Sequence, residues 1–201
     1  MARRNDTRQK LLDAGMRLFA DRGFDATSVA DLEEAVGLQP RRGGLYKHFA
    51  NKSELLEAAV RRHLDDADAI AGGLESLDLG DATDPEGLQA LMVDLARVFL
   101  AEMDRLEGLT RLLEHDGPRL GAVTAEVKLR AVDLSYRATA SLISVIAPFV
   151  ADPEATAVAV LGSLVALRRT TWTFGSPPLS IDDERFLTAW SSLFVRTVFG
   201  A

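Results

Sequence analysis

Between residues 27 and 56 the chain reads T-S-V-A-D-L-E-E-A-V-G-L-Q-P-R-R-G-G-L-Y-K-H-F-A-N-K-S-E-L-L, and this density of helix starts and stops constrains the fold more than any single residue. Thr27 or Ser28 can cap a helix whose apolar residues Val29, Leu32, Ala35 and Val36 recur at helical spacing. Gly37 then supplies the left-handed conformation that residues with a Cβ resist. After Pro40, Leu45 and Phe49 stand four apart and share a face, while cationic and hydrogen-bonding groups fill the opposite one. Asn51 with Glu54 forms a capping pair that launches a third helix through Leu55, Leu56, Ala59, Val60 and Leu64.

Two short helices, a turn and a capped helix are the outline of a helix-turn-helix, an element that reads DNA. The G-L-Y-K-H-F-A-N-K-S-E-L-L run and the upstream T-S-V-A-D-L-E-E-A-V-G-L resemble the N-terminal domain of TetR-type transcriptional repressors. The match reaches back to a first helix with Leu11, Leu12, Gly15, Leu18 and Phe19 on one face, before R-G-F-D-A-T. The resemblance implies an all-α protein: a three-helix DNA-binding head over 1–50, then a larger helical bundle over 51–201 for ligand binding and dimerisation. It covers about the first sixty residues; the remainder is similar to the family in length and helical layout.

One departure from the family pattern stands out. Many members have four residues between the apolar residue after the turn glycine and the Leu-Tyr pair, whereas Gln39 to Gly44 makes six. The turn is lengthened, or the recognition helix starts differently. Gly43 and Gly44 would each cost roughly 1 kcal/mol inside a helix, so they serve close approach to a phosphate backbone, packing on the first helix, or simply a loop.

The net charge of −7 conflicts with nucleic-acid binding until the chain is divided. Residues 1–63 hold twelve Lys and Arg against nine Asp and Glu, giving +3, and the remainder carries −10. Only the head needs attraction to phosphate, while an acidic body aids solubility and orients the head. A single modest head would bind weakly; two on a homodimer combine.

The absence of cysteine excludes disulfides, thiolate metal sites and a cysteine nucleophile. Arg3 and Arg4 are followed by N-D-T-R-Q-K rather than an apolar run, so no secretory signal is expected. The uncharged stretches 138–151 and 155–167 are shorter than the ~18 to 20 residues that span a bilayer. These features predict a cytoplasmic protein with no membrane segment.

Past the head, Asp84-Pro85-Glu86 and Asp152-Pro153-Glu154 each offer an N-cap, a first-turn proline and an acid that suits the helix dipole. Between the helices they open, 120–150 carries a long helical pattern, and 72–84 reads as a flexible connection. Ser176-Pro177-Pro178 breaks the chain before a last helix from about Asp182. The resemblance implies that the final two helices pair with their copies across a two-fold axis, through Leu161, Gly162, Val165, Phe186, Trp190, Leu193 and Phe194. The alternative is that both helices are core of the monomer.

Gln39, Arg41, Arg42 and Lys47 are the long polar side chains beside the expected recognition helix; arginine grips guanine edges and glutamine adenine edges bidentately. Tyr46, His48, Lys52, Thr27 and Ser28 are expected on phosphates, with Gly43 and Gly44 close to the backbone. Arg3, Arg4 and Arg8 could form an arm along the duplex. Solvated turn is the competing assignment for the arginines at 41 and 42, and helix packing for Tyr46 and His48.

In the body, the resemblance implies a pocket whose small-molecule effector shifts the separation of the heads. Phe99, Met103, His115, Tyr136, Arg168 and Trp172 put polar or aromatic handles on otherwise apolar helices. Each also fits a plain structural role. The sparse charge over 138–167 points to an apolar or aromatic ligand. No cofactor or metal is expected, and an enzyme is disfavoured: the histidines at 48, 63 and 115 lack metal spacing, and neither a G-x-S-x-G elbow nor a phosphate loop is present. A ligand-independent architectural or protein-interaction factor remains the rival, since it shares the head and needs no cavity.

Overall fold

The helix punctuation seen in the sequence is realised closely. The computed structural model describes the backbone of residues 2–75 and 84–199 and side chains within 5–65, 84–118 and 120–196. Helix α1 (Ala2–Arg22) ends at Gly23, whose φ of 85° no right-handed helix accepts. Ser28, rather than Thr27, caps α2 (Val29–Ala35) in a capping box with Asp31, and Gly37 follows at φ 73°. Helix α3 (Lys52–Glu75) starts with the expected pair: Glu54 N–H donates to Asn51 Oδ1 over 2.8 Å, and the Glu54 carboxylate accepts Ala50 N–H.

Residues 40–44 take the first of the two alternatives left open by the sequence, a lengthened turn, and the recognition helix expected after it is cut short. They form a turn, and only Leu45–Lys47 makes a single 3-10 turn. Arg41 at φ 64° and Gly43 at φ 70° are left-handed, and a right-handed helix cannot run through either. The connection expected at 72–84 also shrinks, because α3 continues through Gly72 and Gly73 to Glu75; residues 76–83 lie outside the described residues.

Helices α4 (Pro85–Arg105), α5 (Glu107–Asp116), α6 (Gly121–Val127), α7 (Leu134–Ile146), α8 (Pro153–Phe174) and α9 (Asp183–Phe199) follow, with a π-type turn at Lys128–Asp133. The long pattern over 120–150 is therefore α6, that turn and α7, and Ala147-Pro148 ends it. Asp84 and Asp152 cap as the sequence predicts, Gly87 N–H donating to Asp84 Oδ1 over 2.8 Å and Ala155 N–H to Asp152 Oδ1 over 2.9 Å, and Asp182, where a helix start was expected, accepts Arg185 N–H over 2.8 Å. The described residues are all-α, and none of their helices is long and apolar enough to cross a membrane.

Two compact units emerge, and their boundary is not at 50/51. The first joins Met1–Asp68 with Leu106–Ala131. Its core sets Leu11, Leu12, Phe19, Leu32, Leu45, Phe49, Leu55 and Leu56 with Leu109, Leu112 and Val127, so the apolar face of α1 is closed by α5, and α6 adds Val127 to the same cluster. The second unit, Ala69–Arg105 with Val132–Ala201, buries Leu88, Met92, Ile143, Ala157, Phe194 and Val195 in one cluster. Leu100, Leu161, Leu164, Leu167 and Leu187 form another. Arg168 joins three helices of this unit: it donates to both oxygens of Asp183 over 2.8 Å, and its Nε lies 3.0 Å from Asp104 Oδ1.

Candidate nucleic-acid interface

The turn after α2 is held from beneath by one carboxylate. Glu33 is fully buried, one helical turn after Val29 on the face that also carries Leu32 and Val36. Its Oε2 accepts the Arg41 N–H over 2.8 Å and its Oε1 the Leu45 N–H over 3.0 Å. A buried carboxylate left unpaired would be costly, and two backbone donors satisfy it. The carboxylate thus spans the extra length of the turn, fixing its start and its end.

Leu45 and Phe49 are buried beneath, and Gln39, Arg41, Arg42, Tyr46 and Lys47 point outward, Tyr46 with 58% of its surface exposed. A Cβ on Gly44 would stand 3.0 Å from Leu38 Cδ1, and one on Gly43 3.4 Å from the Tyr46 ring. Gly44 is therefore small because the turn closes on Leu38, and Gly43 because its φ is positive. His48 is half-buried beside this surface.

Several residues expected on phosphates serve the fold instead. Thr27 is fully buried, and its hydroxyl lies 2.9 Å from the Gly23 carbonyl and 3.2 Å from that of Leu18, so it cannot reach a duplex. Lys52 donates to the carbonyls of Phe24 over 2.6 Å and Thr27 over 2.9 Å, with its ammonium 4.2 Å from the Phe24 ring centre. It ties the α1–α2 turn to α3. Ser28 stays exposed, and its hydroxyl and backbone N–H, with Arg22 more weakly, hold the Asp31 carboxyl below its ordinary range. Arg8 stacks over Phe49 at 5.0 Å, and the side chains of Arg3 and Arg4 lie outside the described residues.

In the second unit, Phe99 lines a cavity of about 50 Å³ with Met92, Thr139, Leu142, Leu164 and Trp190. Met103, Tyr136 and Trp172 are half-buried without lining it, and Arg168 is committed to its two aspartates. His115 is exposed on α5, in the first unit. Among the residues expected at a dimer face, Leu161 and Phe194 are interior and so cannot line an outer surface. Leu193 is 67% exposed; Gly162, Val165, Phe186 and Trp190 are half-buried.

Sequence reasoning missed Glu33 and Asp116. The signal for Glu33 was present: an acid on the apolar stripe of α2, beside a turn two residues too long. Asp116 had no such signal, because its partner is the Phe24 N–H, 92 residues away.

Comparison with known proteins agrees with this geometry. The profile of the tetR family of bacterial regulatory proteins matches residues 11–59. The KstR2 transcriptional repressor of Rhodococcus jostii is 39% identical over 74 residues, 34% of this chain and 35% of that protein. The TtgR transcriptional regulator of Pseudomonas putida is 31% identical over 111 residues, 55% of this chain and 50% of its own. The matched stretch thus spans a third to a half of these relatives' length. A TetR-like transcriptional regulator from a Rhodococcus species shares the whole fold, with a TM-score of 0.68 at 23% identity over 97% of each chain.

Proposed function

We propose that this chain, which carries the DNA-binding head of the TetR family at residues 11–59, is a one-component repressor that binds a palindromic operator as a homodimer and leaves it when a small effector binds. The observation that carries the reading is the exposed row Gln39, Arg41, Arg42, Tyr46 and Lys47, raised on a buried Leu45–Phe49 floor. The match of residues 11–59 to a family of bacterial regulatory proteins supports a regulator over an enzyme. Two copies with their reading surfaces one DNA turn apart, ~34 Å, would engage a palindrome.

Support for a second copy comes from α8 and α9. Val158, Gly162 and Ala166 follow one another at four-residue spacing; Val158 is 56% exposed, and a Cβ on Gly162 would meet nothing within 4 Å. Ala189, Leu193 and Arg196 form an exposed row on α9. Small and apolar outward faces of this kind let helices from another protomer approach closely.

The cavity at Phe99 supports an apolar or aromatic effector, since aliphatic side chains dominate its wall and the donors of Thr139 and Trp190 are taken by the Ser135 and Val160 carbonyls. At about 50 Å³ it must widen to hold such a molecule. An effector then releases DNA only by binding the widened state more tightly than the closed one. The rival, a ligand-independent architectural factor, shares the head and the dimer but has no use for a cavity that opens.

Selection of genomic fragments by the purified protein, with titration of the best fragment at several salt concentrations, tests the reading. Enrichment of a palindrome with affinity falling steeply with salt is expected. Weak binding indifferent to sequence would refute it.

A further inference from the structure

Within the head, among the described residues, the left-handed backbone positions are Gly23, Arg41, Gly37 and Gly43, and arginine alone among them carries a Cβ. Glycine takes this conformation freely and L-residues avoid it, so an arginine kept there is held by something and kept for something. What holds it is Glu33, whose buried Oε2 accepts the Arg41 N–H over 2.8 Å while Oε1 fixes Leu45. What it is kept for must lie in the guanidinium, because the side chain is exposed and supports no core. Gly43, two residues on, shows that this turn accepts glycine at a left-handed position.

We propose that Arg41 is the base-reading residue of this regulator, its guanidinium gripping a guanine edge in each half-site, and that Glu33 is its positioning residue. This deepens the proposed operator reading and rests on it. A right-handed helix would send a side chain at 41 along the helix face; the left-handed φ of 64° turns it out of that row. The two additional turn residues supply the reach, and the Glu33 carboxylate restricts the loop so that a flexible arm becomes a directed one. Arginine suits the task because its planar fork matches the O6 and N7 acceptors of guanine together. Neighbouring Arg42, Tyr46 and Lys47 remain for phosphates, which set register without reading sequence.

The test is selection from a pool of randomised duplexes by full-length wild type, Arg41→Gly, Arg41→Lys and Glu33→Gln, with thermal melts of each protein. Arg41→Gly is expected to melt no lower than wild type, since it relieves the left-handed residue. It should lose roughly ten- to a hundredfold of the preference for G·C at one position per half-site and keep the rest of the motif. Arg41→Lys should retain affinity for mixed-sequence DNA and lose the same preference, because an ammonium keeps the charge without the fork. Glu33→Gln can accept one of the two N–H groups; it should melt lower and blur that same position, and the double variant should lose no more of the preference than Arg41→Gly alone.

If wild type enriches no motif, the operator reading falls and this proposal with it. If wild type enriches a motif and Arg41→Gly enriches the same one with every preference intact, or weakens all sequences equally, Arg41 reads no base and the proposal alone is overturned. If Glu33→Gln lowers only the melting temperature, with the motif unchanged, Glu33 is a structural residue and its positioning role is refuted.

Discussion

Asp116, at the last turn of α5, accepts the backbone N–H of Phe24 through Oδ2 over 2.7 Å, across 92 residues of sequence. Asp116 is 9% exposed, and a Cβ on Gly23 would come within 3.3 Å of the same oxygen, so the turn after α1 is shaped around this carboxylate. Asp116→Ala leaves the Phe24 N–H without its acceptor and should cost about 1–3 kcal/mol of stability. Denaturant melts of the two proteins check it; an unchanged midpoint would make the contact incidental.

Thr27 is expected to matter to folding and not to binding. Replacing it by Val keeps the shape and removes a hydroxyl within hydrogen-bonding distance of the Leu18 and Gly23 carbonyls, for a loss of roughly 1 kcal/mol. The salt dependence of DNA binding by the folded protein should stay as in wild type. A shallower slope would return Thr27 to the phosphate contacts.

Tyr46→Ala with Lys47→Ala should abolish operator binding while leaving the mass in solution unchanged. Both side chains are exposed beside the turn, so their loss leaves the Leu45 and Phe49 floor intact. Gel-shift and light-scattering measurements on one preparation decide it, and undiminished affinity would remove the pair from the interface.

Leu193→Glu should convert the proposed dimer to monomer without unfolding it. The residue is 67% exposed, so a carboxylate there meets water in the single chain and meets apolar surface only in a pair. Phe194→Glu, by contrast, places charge in the core and should yield insoluble protein. Sedimentation of Leu193→Glu at the dimer mass would exclude α9 from the proposed contact.

The Arg168–Asp183 pair gives stability a defined acid dependence. Hydrogen bonds from Arg168 hold the Asp183 carboxyl below its ordinary range, and those to Asp183 hold Arg168 above its own. A carboxylate lowered on folding contributes stability above its unfolded pKa of about 3.9 and loses it as pH falls through the folded value. Asp183→Asn should therefore be less stable than wild type at neutral pH, by about 1 kcal/mol for this half-exposed acid. The gap should close below about pH 4, and melts across pH 3 to 7 that show a constant gap would assign the effect to packing.

Local chemistry made much of this fold legible. Ser28, Asn51, Asp84, Asp152 and Asp182 announce helix starts by side-chain oxygens that reach an N–H three residues on, and all five do so. At 40–49 the sequence left a longer turn and a different helix start open, because apolar spacing at Leu45 and Phe49 suits a helix, while the backbone at Arg41 is held by a carboxylate eight residues before it. Lys52 and Thr27 were placed on phosphate by residue type. The carbonyls of the α1–α2 turn, which no periodicity reveals, had already claimed them.

The discontinuous first unit bears on how the chain can be divided. Leu11, Leu12 and Phe19 share their core with Leu109, Leu112 and Val127, so a fragment cut at residue 50 or 68 would present that face of α1 to water. Moving the first unit into another chain is consequently a two-segment operation, in which 106–131 travels with the N-terminus. A single crossover would pair α1 with a foreign α5, and at Gly108, whose Cβ position lies 3.6 Å from that of Ala20, the two helices already stand at van der Waals contact.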